Sequence, residues 1–444
     1  HRFLNNLEQM YHQIECKLIF SYGFKLTNHR LNKDILSKAF QSVAWKHPML
    51  RANIFKDSQG RPYWKEVRNY IPDIEFTETE CGLGKPIPEE ILKKKYIEYG
   101  VDRSLVDFQV LTWKDDAILL FEFCHSVLDA RLTYLLTKEL LNYYTDFIQG
   151  KPYDPNDPQN KPYVFPESPI YPDLGSDFSE EQKVKLAEYI KRKEEGEKYS
   201  YKFPRPSATD YQQISIELVE GSPENFSQLK AFARSNYLSL SSCIFSSALV
   251  SLALLARDYK TNQGKNTVSI KSMVLIDNTV KLFPNLTNKI LVNIDFIDLL
   301  TSINYNSTLL ETTRQIKEEI KRESENYGCG FNSMLYSPPG QQPKGIPVHD
   351  IILNYVPEMS DTEFIINNSE RIERTGSMII SNSKYNFKFA EYMIACKTNK
   401  NHIRYEIQYN ENNEKPMKEL CSYRDELTEN FAKYACKKIS DIRI

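Results

Sequence analysis

Where the chain passes from an apolar run into an amphipathic one, it carries a histidine and an aspartate four residues apart. Ala117–Leu136 reads AILLFEFCHSVLDARLTYLL, with His125 and Asp129 in its polar turn. An imidazole with an ordinary pKa of about 6.5 can take a proton from an attacking hydroxyl or amine and hand it to a departing group, which is general acid–base work. Asp129 could orient that imidazole. An aspartate so placed also folds back into local backbone or salt-bridge contacts, and this supporting role is the weightier reading. The spacing alone decides nothing, because the chain has seven histidines and short motifs match by chance. Cys124 invites a thiolate nucleophile beside His125, but successive strand residues point to opposite faces, so a packed thiol is the expectation. Asn354 could donate to an oxyanion or simply end its strand, with the structural role favoured. His47, before a proline at a helix end, and His349 with Asp350, at a strand entry, read as structural.

The elements that hold these residues follow from the apolar pattern. Ala117–Phe123 is β-prone, broken only by Glu122, and has the length of a strand. Leu132, Leu135, Leu136, Leu140, Tyr144 and Phe147 then recur at helical spacing, with Asp129 placed as the N-cap. Upstream, Cys16–Leu26 reads as a strand. Leu31, Ile35, Leu36, Ala39, Phe40 and Val43 form a helical stripe that Pro48 stops. Leu50–Phe55 and Pro62–Val67 suit a hairpin, and Leu105–Trp113 precedes the strand Ala117–Phe123. Long helices mixed with hairpin strands predict a mixed α/β fold.

Between Ile148 and Gly175 prolines fall at short intervals, and a charged helical stretch, Glu180–Lys198, follows; residues 151–206 read as a linker. It parts an N-terminal unit, residues 1–150, from a C-terminal unit, residues 207–444. The second unit starts again with a strand, Gln212–Val219, a helix, Pro223–Arg234, and an apolar helix, Ser239–Ala256. Strands over Thr267–Ile276, Lys289–Ile297, His349–Val356, Asn386–Cys396 and His402–Tyr409, with helices over Asn306–Glu325 and Pro416–Ile439, complete it. The Gly/Pro-rich stretch 328–347 has the length of a site-covering loop. Similar alternation in both halves predicts two like subdomains with a groove between them.

Composition narrows the function. Lys and Arg number 57 against 59 Asp and Glu, a formal charge of −2 with no basic block, so nucleic acid is not an expected partner. The eight cysteines are scattered, without C-x-x-C or a Cys/His metal spacing; reduced thiols, no metal and a cytoplasmic setting are expected. Cys243–Ala256 falls short of the roughly 20 apolar residues of a membrane span and reads as a core helix. The last helix places Met417, Leu420, Leu427, Phe431 and Tyr434 on one stripe, which fits docking on a core, so membrane contact is peripheral at most. Sequons at Asn225, Asn285, Asn306 and Asn367 read as chance matches.

Four stretches stand in order along the chain: LEQMYHQIECKLIFSYGFKL with LNKDILSKAFQSVAWKHPMLRANIF, then CHSVLDA, LKAFARSNYLSLSSCIFSSALVSLALL and HDIILNYVPEM. With them the chain resembles the chloramphenicol acetyltransferase-like acyltransferases, which include peptide-synthetase condensation domains and fungal alcohol acetyltransferases. LEQMYHQIECKLIFSYGFKL with LNKDILSKAFQSVAWKHPMLRANIF looks like the family's first strand, helix and His-Pro-x-Leu-Arg signature. CHSVLDA resembles its H-H-x-x-x-D-G motif. LKAFARSNYLSLSSCIFSSALVSLALL is similar to the helix pair that opens the second subdomain, and HDIILNYVPEM looks like a later strand ending near an asparagine. The opening L-E-Q-M-Y leans toward the alcohol acetyltransferase branch. His125 and Asp129 match the motif's second histidine and its aspartate. Cys124 stands for the first histidine and Ala130 for the glycine, and Val274–Thr279 lacks the arginine that commonly pairs with that aspartate in the family.

The resemblance implies two mixed-sheet subdomains with the active site at their interface and His125 as general base. It implies direct transfer, without an acyl-enzyme, from acyl-CoA, acetyl-CoA foremost, to a small-molecule alcohol or amine. It further implies a monomer that needs no metal and sits in the cytoplasm or peripherally at the endoplasmic reticulum or lipid droplets. Two alternatives stand beside this reading: an inactive member kept as a binding or scaffold protein, which the altered motif flanks suggest, and a condensation-type domain whose donor is a carrier-bound thioester.

Overall fold

The computed structural model describes residues 2–4, 6–13, 17–67, 73–82, 87–88, 91, 98–154, 157–164, most of 179–191, 214–257, 264–277, 294–326, 349–357, 363–381, 390–398, 403–410 and 414–444. The loop 328–347 and the later part of the expected linker lie outside them. The first half supplies β1 (Arg2–Phe3), α1 (Asn6–Gln13), β2 (Lys17–Thr27), α2 (Lys33–Lys46), β3 (Ala52–Lys56), β4 (Pro62–Glu66), β5 (Ile74–Glu78), β6 (Val106–Trp113), β7 (Asp116–Cys124) and α3 (Ala130–Ile148). The second supplies β8 (Ile214–Glu220), α4 (Pro223–Ser235), α5 (Leu240–Arg257), β9 (Thr267–Asp277), β10 (Ile294–Asn304) and α6 (Leu309–Asn326). It continues with β11 (His349–Pro357), β12 (Glu363–Ile365), β13 (Arg371–Ser381), β14 (Ala390–Thr398), β15 (Ile403–Asn410) and α7 (Glu414–Glu429).

Two six-stranded mixed sheets result, ordered β12-β13-β2-β7-β6-β5 and β10-β9-β11-β14-β15-β8, beside a three-stranded sheet β1-β4-β3. The second half does not keep to itself. β13 pairs antiparallel with β2 from Arg371↔Thr27 to Ser381↔Leu18, so a late segment extends the first sheet. Sequence pattern missed this strand because its inward positions are Ile372 and Arg374, alternating with exposed Arg371, Glu373 and Thr375. A buried arginine hides a period of two. Arg374 is tolerated there because its guanidinium lies 5.1 Å from the ring centroid of Tyr134 on α3.

Each sheet has its own core. β7 sends Ala117, Leu119, Phe121 and Phe123 into the first, where α2 and α3 cover them with Leu36, Phe40, Val43, Leu132, Leu136 and Leu140. In the second, Ser242 to Ala256 of α5 are all buried, between β-sheet and the helices α6 and α7. By length and composition this 18-residue helix could span a membrane, which corrects the shorter span read from the sequence; its burial makes it a core helix. The two cores touch: Met273 of β9, Ile352 of β11 and Met393 of β14 belong to the first cluster, while Val274, Ile351, Leu353 and Ile394 belong to the second. Alternation therefore turns one face of the second sheet toward the first half.

The start of the strand expected over Lys289–Ile297 lies outside the described residues; its described part, β10, runs on past Ile297 through Asp298 and Thr301, because Ile297, Leu299 and Ile303 alternate inward while Asp298 and Thr301 find partners in His349 and Glu319. Part of the expected linker is docked: Tyr163 donates its backbone N–H to the Lys46 carbonyl at 2.9 Å and stacks obliquely on His47 at 5.1 Å.

Candidate active site

β7 lies between β2 and β6, and its last residue, Cys124, is opposite Lys17 at the start of β2. The chain leaves the sheet there through a turn closed by Val127 N–H to the Cys124 carbonyl, 2.9 Å. Buried Val127 and Leu128 anchor the turn in the first core. Asp129 then adopts extended backbone angles and caps α3, its Oδ1 accepting the Leu132 N–H at 2.7 Å. A cap of this kind is worth about 1 kcal/mol and fixes where the helix starts, hence where His125 projects.

His125 is held at 3.0 Å between its Nδ1 and the Leu128 carbonyl. A carbonyl only accepts, so Nδ1 carries the proton and Nε2 is left with its lone pair. Burial pushes the imidazole down to about 4, and the Leu128 bond opposes that shift without cancelling it. The residue keeps partial exposure even so. At neutral pH the site therefore presents an uncharged, reachable base.

The roof of the site comes from α1, which sequence pattern did not connect to it. Tyr11 stacks on His125 with ring centroids 4.2 Å apart and planes 21° apart. Cys124 is fully buried; its thiol donates to Ser126 Oγ at 3.5 Å and lies 3.2 Å from the Tyr99 hydroxyl, while Ser126 donates to the Glu8 carbonyl at 3.1 Å. That chain of contacts makes Cys124 a packed thiol tying the turn to α1. Glu8 and Tyr11 share a helix face by their spacing of three, which is the one signal in sequence that could have linked them.

Asn354 lies inside β11, opposite Ala395, and not at the strand's end as its apolar run suggested. Two residues from Ile352, it shares the face turned toward the first half and is half-buried. His125 and Asp129 flank one turn; Asn354 belongs to the other sheet. His349 enters β11 with Nε2 2.8 Å from Asp298 Oδ1, and Asp350 accepts the Lys271 N–H at 2.8 Å. His47 caps the end of α2 and bonds Glu139, which also takes Lys46. Among the described residues no cluster of three His, Cys, Asp or Glu could hold a metal ion.

Neither a family model nor a curated protein sequence matches this chain. Solved structures do. Polyketide synthase associated protein 5 from Mycobacterium tuberculosis matches 96% of this chain and 97% of its own at 16% identity, with a TM-score of 0.60. The condensation domain of the Monacolin K polyketide synthase MokA matches 99% and 100% at 9% identity and a TM-score of 0.67. The first condensation domain of the calcium-dependent antibiotic synthetase, with a substrate analogue, matches 100% and 99% at 12% identity and a TM-score of 0.68. At these identities the likeness is one of fold: the chain has the two-subdomain, chloramphenicol acetyltransferase-like architecture of condensation domains.

Proposed function

We propose that this protein moves an acyl group from a thioester to an alcohol or amine, with His125 as general base. The observation that carries the reading is the tautomer: Leu128 holds the Nδ1 proton, so Nε2 is the nitrogen left with a lone pair to accept a proton. Nε2 takes the proton of the acceptor's O–H or N–H as that atom bonds to the thioester carbon. The C–S bond then breaks, and the imidazolium returns the proton to the thiolate. The products are an ester or amide and a free thiol. Base catalysis of this kind contributes about 10²- to 10⁴-fold. A base pushed down to about 4 is weak in the first half of that cycle and a strong acid in the second. Asp129 holds the turn, and Asn354 is the proposed donor to the oxyanion.

Structures that share this fold include condensation domains of a polyketide synthase and of the calcium-dependent antibiotic synthetase, which favours a condensation-type donor, a thioester on a carrier protein, ahead of free acetyl-CoA. The weak basicity of His125, with Cys124 in place of the motif's first histidine, supports a second reading, a binding protein that has lost turnover. Free-thiol release, with products read by mass spectrometry, separates them when acetyl-CoA and an acyl-loaded carrier protein are each offered with a panel of alcohols and amines. Turnover only with the carrier-bound donor supports the condensation reading. No turnover above a His125→Ala control with either donor sinks the enzyme reading.

A further inference from the structure

His125 is held along one edge by Leu128, and a single N–H···O bond leaves a ring free to swing about that axis. The second restraint is a plane. Tyr11 covers one face of the imidazole at 4.2 Å, nearly parallel, and is itself only 7% exposed. α1 cannot easily lift this ring away. Its Glu8 carboxylate accepts from both Nη atoms of Arg2 at 2.7 and 2.6 Å, a buried bidentate pair, and its Glu8 carbonyl accepts from Ser126 on the site turn. The helix that carries Tyr11 is thus fastened to the same turn that carries His125.

We infer that Tyr11 is a positioning residue for the acyl transfer proposed above: stacked on His125, it fixes the plane of the imidazole and aims Nε2 at the acceptor. The inference rests on that functional reading only for its consequence in turnover; the stack itself stands on geometry. Aim matters because a misplacement of about 1 Å at a reacting group can cost about 10²-fold in rate. The flat ring also keeps water from one face of His125, in keeping with the direction in which burial moves its titration. Among the described residues, the titratable groups around the turn include the Arg2–Glu8 pair and His12 on the α1 side, Tyr99 and Cys124, and Asp129 and Arg131 at the head of α3. Tyr11→Phe keeps the stacked ring and removes only the hydroxyl.

The test compares Tyr11→Phe, which keeps the plate, with Tyr11→Leu, which keeps a buried apolar side chain without one. Two readouts are taken on the full chain: thiol release with whichever donor the wild type uses, and the pH titration of the His125 Cε1–H signal by NMR, assigned by its loss in His125→Ala. The expected result is a phenylalanine variant close to wild type in both. The leucine variant should lose about 10- to 100-fold in kcat with little change in KM, and its His125 should titrate at higher pH. A leucine variant that keeps the wild-type titration and rate overturns the inference, as does a phenylalanine variant impaired as badly as leucine. If no donor supports turnover in wild type, the functional reading fails while the NMR arm still decides whether Tyr11 sets the environment of His125.

Discussion

His125 and His349 each stand at the end of a strand with an aspartate close by in sequence, one in each half of the molecule. Their fates differ. His349 is fully buried and its Nε2 is used up 2.8 Å from Asp298, a residue 51 positions away in the chain. His125 spends Nδ1 on a backbone carbonyl, is covered on one face by Tyr11, and as a residue keeps partial exposure. In both cases the aspartate nearest in sequence serves the backbone: Asp129 takes the Leu132 N–H, and Asp350 takes the Lys271 N–H. A His–Asp spacing is therefore a poor guide to which imidazole does chemistry. The nitrogen that is occupied, and by what, is the better one.

The sharpest way to break this comparison is to delete each imidazole in turn. His125→Ala should lower thiol release by about 10²- to 10⁴-fold, the span of general-base catalysis, with little loss of fold. His349→Ala should do the reverse. Taking that partner from the buried Asp298 carboxylate should cost about 1–3 kcal/mol in urea unfolding, with unchanged turnover per folded molecule. Equal loss of activity in the two variants would erase the distinction drawn here.

The contrast also marks what sequence could and could not show. The strand, turn and capped helix around His125 were legible because each is local: an apolar β run, an aspartate before a helical stripe, and a short turn. The partners that define its role are not local. Tyr11 arrives from α1 more than a hundred residues earlier, and its stacking has no periodicity to read. Likewise β13 was invisible because Arg374 occupies an inward position, and the strand read as far as Ile297 stopped short at Asp298, whose pairing with His349 lets β10 run on. Asn354 was noticed as a residue type, but its face could be assigned only once Ile352 was seen in the first core.

Asp129 offers a finer probe of the same contrast. If it serves as a cap and not as a partner of the imidazole, Asp129→Asn should be nearly silent, since asparagine caps about as well. Asp129→Ala should lose about 1 kcal/mol, read by chemical denaturation, with a modest fall in turnover. A rate collapse in the asparagine variant, with stability intact, would give Asp129 an electrostatic role toward His125.

The remaining test is one of pH, and it probes the burial of His125 without any substrate. In the folded chain burial holds this imidazole neutral down to about 4, whereas in the unfolded chain it takes a proton at about 6.5. As pH falls from about 6.5 toward 4, the unfolded chain binds that proton first, so the contribution of His125 to stability falls across this window. Above it the residue is neutral in both states and contributes no slope. His125→Ala should remove this component, so the difference between wild-type and variant unfolding free energies should vary with pH inside the window and be flat above it. The same burial places the acid limb of kcat/KM near pH 4 where His125 is the base. A limb near 6.5, with no difference slope in unfolding, would mean that Tyr11 and the turn leave the imidazole hydrated, and His125 would then lose the feature that sets it apart from an ordinary surface histidine.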